Sequence, residues 1–323
     1  MSGVELESRE RAAVKAPLPA PRRRGFLAHV AYYKWLYLLL LPGLVYFAVF
    51  RYAPMYGASI AFKDFVPFLG IDGSPWVGLR NFQDFFSSPD FVRLLVNTLL
   101  LALLNLGVGF PITILMALLL NEVRLQVLKR TVQTLVYIPH FLSWTIVASL
   151  TFLLFALDVG PLFKFLNDAL GTHIDYLSDP GWFRPLIVLQ SVWKNTGWGT
   201  IIYLAALATV DQEQYEAAVI DGAGRFRRVW HITLPSIRST IVVMLILAIG
   251  EILNTGFEQI FLMTNALNRS VADVFDTYVY FVGITQGAYS YSTAVGLFKS
   301  VVGIVLIFGA NWLAKRFNQS GLF

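Results

Sequence analysis

The feature that most limits this chain is a run of 28 residues, 94–121, without one charged side chain. A bilayer core about 30 Å thick needs about 20 mostly apolar residues in a helix. Two further runs match it: 131–157, 27 residues interrupted only by His140, and 185–210, 26 residues interrupted only by Lys194. Three weaker stretches follow the same rule. Residues 35–50 number only 16 but have an aromatic margin of Tyr32, Tyr33 and Tyr37; 239–262 carries Glu251 and Glu258; 291–313 carries Lys299. The pattern predicts an all-α polytopic membrane protein with six spans. The stretch 274–290 is apolar at Tyr278, Tyr280 and Phe281 but holds Gly283, Gln286 and Gly287, and is short for a span. We expect an interfacial or partly re-entrant helix there, with a seventh span as the competing count.

Composition closes off the soluble alternatives. Of 323 residues 56% are hydrophobic and only 14% charged, with a mean hydropathy of +0.62, whereas soluble domains run near a quarter charged. So few polar side chains cannot cover a globule, and so much apolar surface does not stay disordered. With no cysteine, disulfide scaffolds, thiolate metal sites and thiol nucleophiles are excluded. The four histidines, scattered from His29 to His231, give no metal-ligand spacing.

The distribution of positive charge orients the spans. Sixteen of the 25 Lys and Arg residues fall in the segment through Lys34, the 121–130 and 211–239 loops and the C-terminal tail; seven fall in 51–93, 158–184 and 263–290. The last two, Lys194 and Lys299, lie inside spans. With six spans every richer segment is on one side, so both termini are expected in the cytoplasm. Residues 1–34, with Pro17, Pro19, Pro21 and Arg22, Arg23 and Arg24, read as a basic disordered tail. Residues 35–314 then form the membrane domain and 315–323 a second cytoplasmic tail. A cleaved signal peptide is the rival reading of the N-terminus, but no small-x-small site follows Phe50, which favours a retained anchor. The net charge of +5 is attributed to this asymmetry, not to nucleic-acid binding.

The loop 211–239 is neither short nor plain. Asp211 can cap a helix with Gln214 completing a capping box, Tyr215, Ala218 and Val219 share a face, and Gly222 stands where a left-handed residue ends a helix. A second, basic and aromatic helix runs from Arg225 to Ile232 and is limited by Pro235. A cap and a glycine stop occur in many loops that merely close a bundle. Here the whole string is Glu216-Ala217-Ala218-Val219-Ile220-Asp221-Gly222-Ala223-Gly224, then Ile232-Thr233-Leu234-Pro235. It resembles the cytoplasmic EAA loop of binding-protein-dependent ATP-binding-cassette (ABC) importer permeases, departing from the family pattern at Val229, where Phe is usual, and Ser239, where a final Pro is usual. Trp76-Val77-Gly78-Leu79-Arg80-Asn81-Phe82 and Asn97-Thr98 are similar to carbohydrate importers of this family. Trp193-Lys194-Asn195-Thr196-Gly197-Trp198-Gly199, Tyr203-Leu204-Ala205-Ala206-Leu207 and Gly256-Phe257-Glu258-Gln259 resemble its polysaccharide-type subgroup.

The resemblance implies a type I permease fold and a non-enzymatic subunit of an oligosaccharide importer, with an alginate-type uronate as a candidate cargo. It implies a second permease subunit, two ATPase subunits that bind ATP and Mg, an extracytoplasmic solute-binding protein and an inner-membrane location. Glu216 would meet a basic group of an ATPase, Ala217 and Ala218 would permit close approach, Gly222 would hold the turn, and Asp221 and Pro235 belong to the same coupling element. No G-x-x-x-x-G-K-[ST] phosphate loop occurs in the chain, so no cofactor is expected in this subunit.

An ionised side chain at the centre of a span costs about 2.5–3.5 kcal/mol on insertion scales, so intramembrane charges are either paired or functional. We expect Trp193, Lys194, Asn195 and Trp198 to border the translocation path where their helix breaks, with Lys194 or Lys299 attracting an anionic sugar. Glu251 and Glu258, seven apart, are expected on one helix face, Glu251 paired structurally and Glu258 at an outer end. His140 is expected to hydrogen-bond a neighbouring helix. A membrane-embedded enzyme would need a convergent acid–base constellation, and a secondary transporter inverted repeats or a relay of charges; the sequence displays neither.

Overall fold

A computed structural model describes residues 32–316; the expected tail before residue 32 and the last residues, 317–323, lie outside the described residues. Among the described residues the repeating structure is helical, apart from one antiparallel bridge between Lys63 and Trp76. The chain divides into two compact units between Gly57 and Ala58. The first unit is the greater part of helix α1 (Lys34–Phe62), apolar on all sides and with no buried residue in Lys34–Phe47. Such a helix contributes no core of its own.

The second unit holds further helices, among them α2 (Pro89–Glu122), α3 (Gln126–Phe141), α4 (Trp144–Phe155), α5 (Pro180–Leu207), α6 (Gln212–Ile220), α7 (Arg225–Ser236), α8 (Arg238–Gly250), α9 (Phe257–Met263), α10 (Phe275–Tyr280) and α11 (Tyr289–Arg316). Helices α1, α2 and α11 are each long and apolar enough to cross a membrane. All six expected spans are occupied by helix, but two are broken. The stretch 131–157 is not one continuous helix: α3 and α4 meet at a 100° bend. Pro139 tightens the end of α3 into a 3₁₀ turn, and Ser143 caps α4 by accepting from the Ile146 N–H at 3.3 Å. The stretch 239–262 is also broken, between α8 and α9. Glu251 and Glu258 therefore do not share a helix face, because the chain turns through residues 251–256.

Wide π-type turns interrupt three helices, each two residues before a proline: Ala48–Tyr52 before Pro54, Asn105–Gly109 before Pro111 and Val229–Thr233 before Pro235. A proline ring crowds the carbonyl four residues back and offers no N–H. Here that carbonyl lies within the widened turn, so the helix continues instead of breaking. Pro235 accordingly sits inside α7, which runs on to Ser236 before a 64° bend into α8. The second helix of the loop thus stops one residue past Pro235, before the next span, as expected. The segment Phe275–Thr285 is helical throughout but, at 1.5 Å per residue, only about 16 Å long. It is too short for a seventh span, in line with the interfacial or re-entrant reading.

The buried core runs along α5. Leu101, Ala148, Phe183, Ile187, Ile260 and Met263 form one cluster; Ala117, Tyr203, Leu207 and Ile237 form another towards the 211–239 loop. At the other end an aromatic cluster joins Phe85, Phe275 and Phe298.

Candidate functional site

The 211–239 loop forms a helical hairpin. Asp211 caps α6, accepting from the Glu213 N–H at 3.0 Å, one turn position earlier than a bond within a box with Gln214 would require. At the far end Gly222 has φ +73°, a conformation costly for any residue with a Cβ. The Ala223 N–H donates to Ala218 O at 2.8 Å and the Gly222 N–H to Val219 O at 3.0 Å, the paired bonds of a Schellman stop. The Asp221 N–H donates to Ala217 O at 3.0 Å. The two arms are tied by the Tyr215 and Thr233 hydroxyls, 3.0 Å apart, with Tyr215 packed into the buried cluster. Glu216, Ala217, Asp221, Gly222 and Pro235 are exposed and Ala218 is half-buried. Around them Val219, Ile220, Phe226 and Trp230 present 55, 86, 85 and 66% of their surface. Four large apolar side chains are thus exposed on one short hairpin.

The second group of expected residues surrounds a different structure. Helix α5 does not break at Trp193–Trp198; it is continuous for 28 residues. The break is in the helices it packs against. Lys194, buried among them, donates from Nζ to His140 O at 2.7 Å, to Pro139 O at 3.4 Å and to Leu142 O, with Nζ also 5.3 Å from the Trp144 ring centroid. Its charge is committed to the C-terminal end of α3. Gly197 lets this happen: a Cβ there would overlap the Val136 carbonyl. Asn195 Oδ1 lies 3.3 Å from His140 Nδ1, and Trp198 stacks on the His140 ring at 4.6 Å. His140 thus bonds the neighbouring helix, as expected. Trp193 lies on the opposite face of α5, against an apolar groove of Val147, Leu150, Leu154 and Leu189. Lys299, on α11, is paired with Asp276 of α10. Neither lysine is an uncommitted cation.

Sequence reasoning missed where the polar cavity lies. A cavity of about 370 Å³ is lined by Asn105, Trp144, Ser191, Asn195, Glu251, Asn254, Thr255 and Gln259. A second, about 450 Å³, adjoins the same elbow and includes Glu251, Asn254, Asp276 and Lys299. The signal was Gly250 to Gly256, two glycines bracketing polar residues inside an apolar run. Gln259 is buried and donates to Ile187 O at 2.8 Å and Gln190 Oε1 at 3.0 Å; Gln190 in turn donates to Thr151 Oγ1 at 2.7 Å. This chain of amides ties α9, α5 and α4 together.

Two further motifs have structural roles. Asn97 donates to Ser270 O and Asp273 O, both at 3.0 Å, and accepts from Arg184 Nη2 at 2.8 Å, while Thr98 Oγ1 accepts from the Phe275 N–H at 3.3 Å. Asn81 donates to Ala61 O at 2.8 Å and Lys63 O at 3.1 Å beside the stacked rings of Phe62 and Trp76.

Comparison with known proteins agrees with this architecture. Residues 109–319 match the family model of the binding-protein-dependent transport system inner membrane component. Protein LplB of Bacillus subtilis (strain 168) is 65% identical over 306 residues, 95% of this chain and 96% of that protein. The polygalacturonan/rhamnogalacturonan transport system permease protein YteP of the same strain is 54% identical over 302 residues, 94% of each. A chain of a bacterial alginate ABC transporter, solved in complex with an alginate pentasaccharide-bound periplasmic protein, superposes with a TM-score of 0.84 at 36% identity, over 92% of this chain and 99% of that one. The chain belongs to the family of binding-protein-dependent transport system inner membrane components and has the type I permease fold of ABC importers.

Proposed function

We propose that this permease forms part of the translocation pathway for a uronate-containing oligosaccharide of alginate or pectin type. A solute-binding protein delivers the sugar on the outer side, and a second permease subunit completes the path. Two cytoplasmic ATPase subunits, which bind ATP and Mg, drive it through the 211–239 hairpin. The observation that carries the coupling role is the Schellman-stopped α6 with Glu216 beside exposed Val219, Ile220, Phe226 and Trp230. The substrate reading draws on YteP and on the alginate transporter named above. The charge asymmetry of the loops supports cytoplasmic termini in the inner membrane. In this scheme ATP moves the spans only by favouring one of two arrangements of the hairpin over the other.

The test is co-purification of the assembled transporter together with sugar-stimulated ATP hydrolysis. Glu216→Lys and Gly222→Pro are expected to abolish uptake and the stimulated ATPase while the permease still inserts at wild-type levels. Wild-type uptake by both variants would reject the docking role.

A further inference from the structure

The elbow between α8 and α9 carries a carboxylate that no cation neutralises. Glu251 follows the 13 residues of α8, about 20 Å of helix from Arg238, which puts it well inside a bilayer about 30 Å thick. Its side chain accepts from the amide of Asn254 and lines both cavities. Among the described residues no Lys, Arg or His lies within ion-pair distance of it. The two lysines at this depth are taken, Lys194 by carbonyls and Lys299 by Asp276. The other polar groups around the first cavity are neutral: Asn105, Ser191, Asn195, Asn254 and Thr255. Thr255, which also lines this cavity, has a buried Oγ1 with no hydrogen-bond partner among the described residues. An ionisable group at such depth without a partner requires a functional account.

We propose that Glu251 is a specificity-determining residue of the sugar path. Its carboxylate accepts hydrogen bonds from the hydroxyls of the passing sugar, and its charge turns the carboxylates of an acidic substrate away from this wall. A carboxylate is a stronger acceptor for hydroxyl protons than a neutral amide. A uronate carboxylate placed against Glu251 would meet like charge and be repelled. The wall therefore reads the hydroxyl-rich, uncharged face of the sugar. The inference rests on the reading that this cavity lies on the sugar path.

The experiment measures sugar binding to the purified permease–ATPase complex without the binding protein, by tryptophan fluorescence, because Trp144 lines the same cavity. An oligouronate is compared with its carboxyl-reduced counterpart, in wild type and in Glu251→Gln. The near-isosteric variant should bind the oligouronate more tightly and the reduced sugar more weakly, moving the ratio of the two affinities by about fivefold, the difference between charged and neutral hydrogen bonds. If both affinities move together, the cavity is on the path but charge selection is overturned. Failure of wild type and variant to bind either sugar overturns the path reading and the inference with it. Thermal melting of the variant at the wild-type temperature separates these outcomes from misfolding.

Discussion

Lys194 shows how one residue can be noticed in a sequence and its task misread. An ammonium has three N–H donors and no acceptor, and the end of a helix leaves carbonyls without intrahelical partners. His140 and Leu142 supply two such carbonyls at the α3–α4 break, and Pro139 a third that also accepts the Leu142 N–H; all three receive Lys194 Nζ. The negative end of the α3 dipole favours a cation at the same place. Burying the charge at this depth costs about 2.5–3.5 kcal/mol, and hydrogen bonds to a charged donor contribute about 1.5–3 kcal/mol each, so the pin is favourable on balance. The lysine was legible as an intramembrane charge. Its acceptors were not, because they exist only after a chain break 52–55 positions earlier. Lys194→Met is expected to destabilise the solubilised permease by about 2–4 kcal/mol, since it strands buried carbonyls. Trp144 emission should shift as the cation leaves its ring. A melting curve and spectrum identical to wild type would refute the pin.

At the scale of elements, the apolar runs specified helix but not its continuity. The run at 131–157 fulfils every compositional requirement of one span, yet Pro139 and the Ser143 cap divide it at 100°. Pro111 carries the same letter and divides nothing, because a wide turn precedes it, whereas Pro235, also preceded by a wide turn, stands one residue from the end of α7 at the 64° bend. Which outcome a proline takes depends on neighbours that accept or refuse the freed carbonyls, and that is settled in three dimensions. The shape of the 211–239 hairpin was legible because its signals are local: a capping Asp211, a small face and a left-handed Gly222. Close approach between elements is less visible. Gly197 and Gly309 are both helical glycines, but a Cβ at Gly197 would overlap Val136 O, whereas nothing lies within 4 Å of one at Gly309. Alanine gains about 0.8–1 kcal/mol of helix propensity at either position. Gly309→Ala should therefore leave the melting temperature of the isolated subunit equal or higher, while Gly197→Ala should lower it and loosen the Lys194 contact. Equal tolerance of both changes would refute close packing of α5 on α3.

At the scale of the whole molecule, membrane sidedness decides whether the hairpin can reach an ATPase at all. The orientation argument rests on sixteen positive residues against seven, and the positive-inside bias acts through short loops of this kind. The chain has no cysteine, so a single introduced thiol reports its side without background. Ile220 and Phe68 are 86% and 100% exposed, so a thiol at either position is reachable by reagent. Ile220→Cys in intact cells is expected to react with a membrane-permeant maleimide and to be spared by an impermeant one. Phe68→Cys, in the 51–93 segment on the other side, should react with both once the reagent reaches the outer face. Because Ile220 belongs to the apolar surface beside Glu216, co-expression of the cognate ATPase should also slow its labelling and leave that of Phe68→Cys unchanged. Labelling of Ile220→Cys by the impermeant reagent would invert the topology and remove the hairpin from the compartment where nucleotide is hydrolysed. Unchanged labelling in the presence of the ATPase would leave the topology intact and refute the hairpin as its seat.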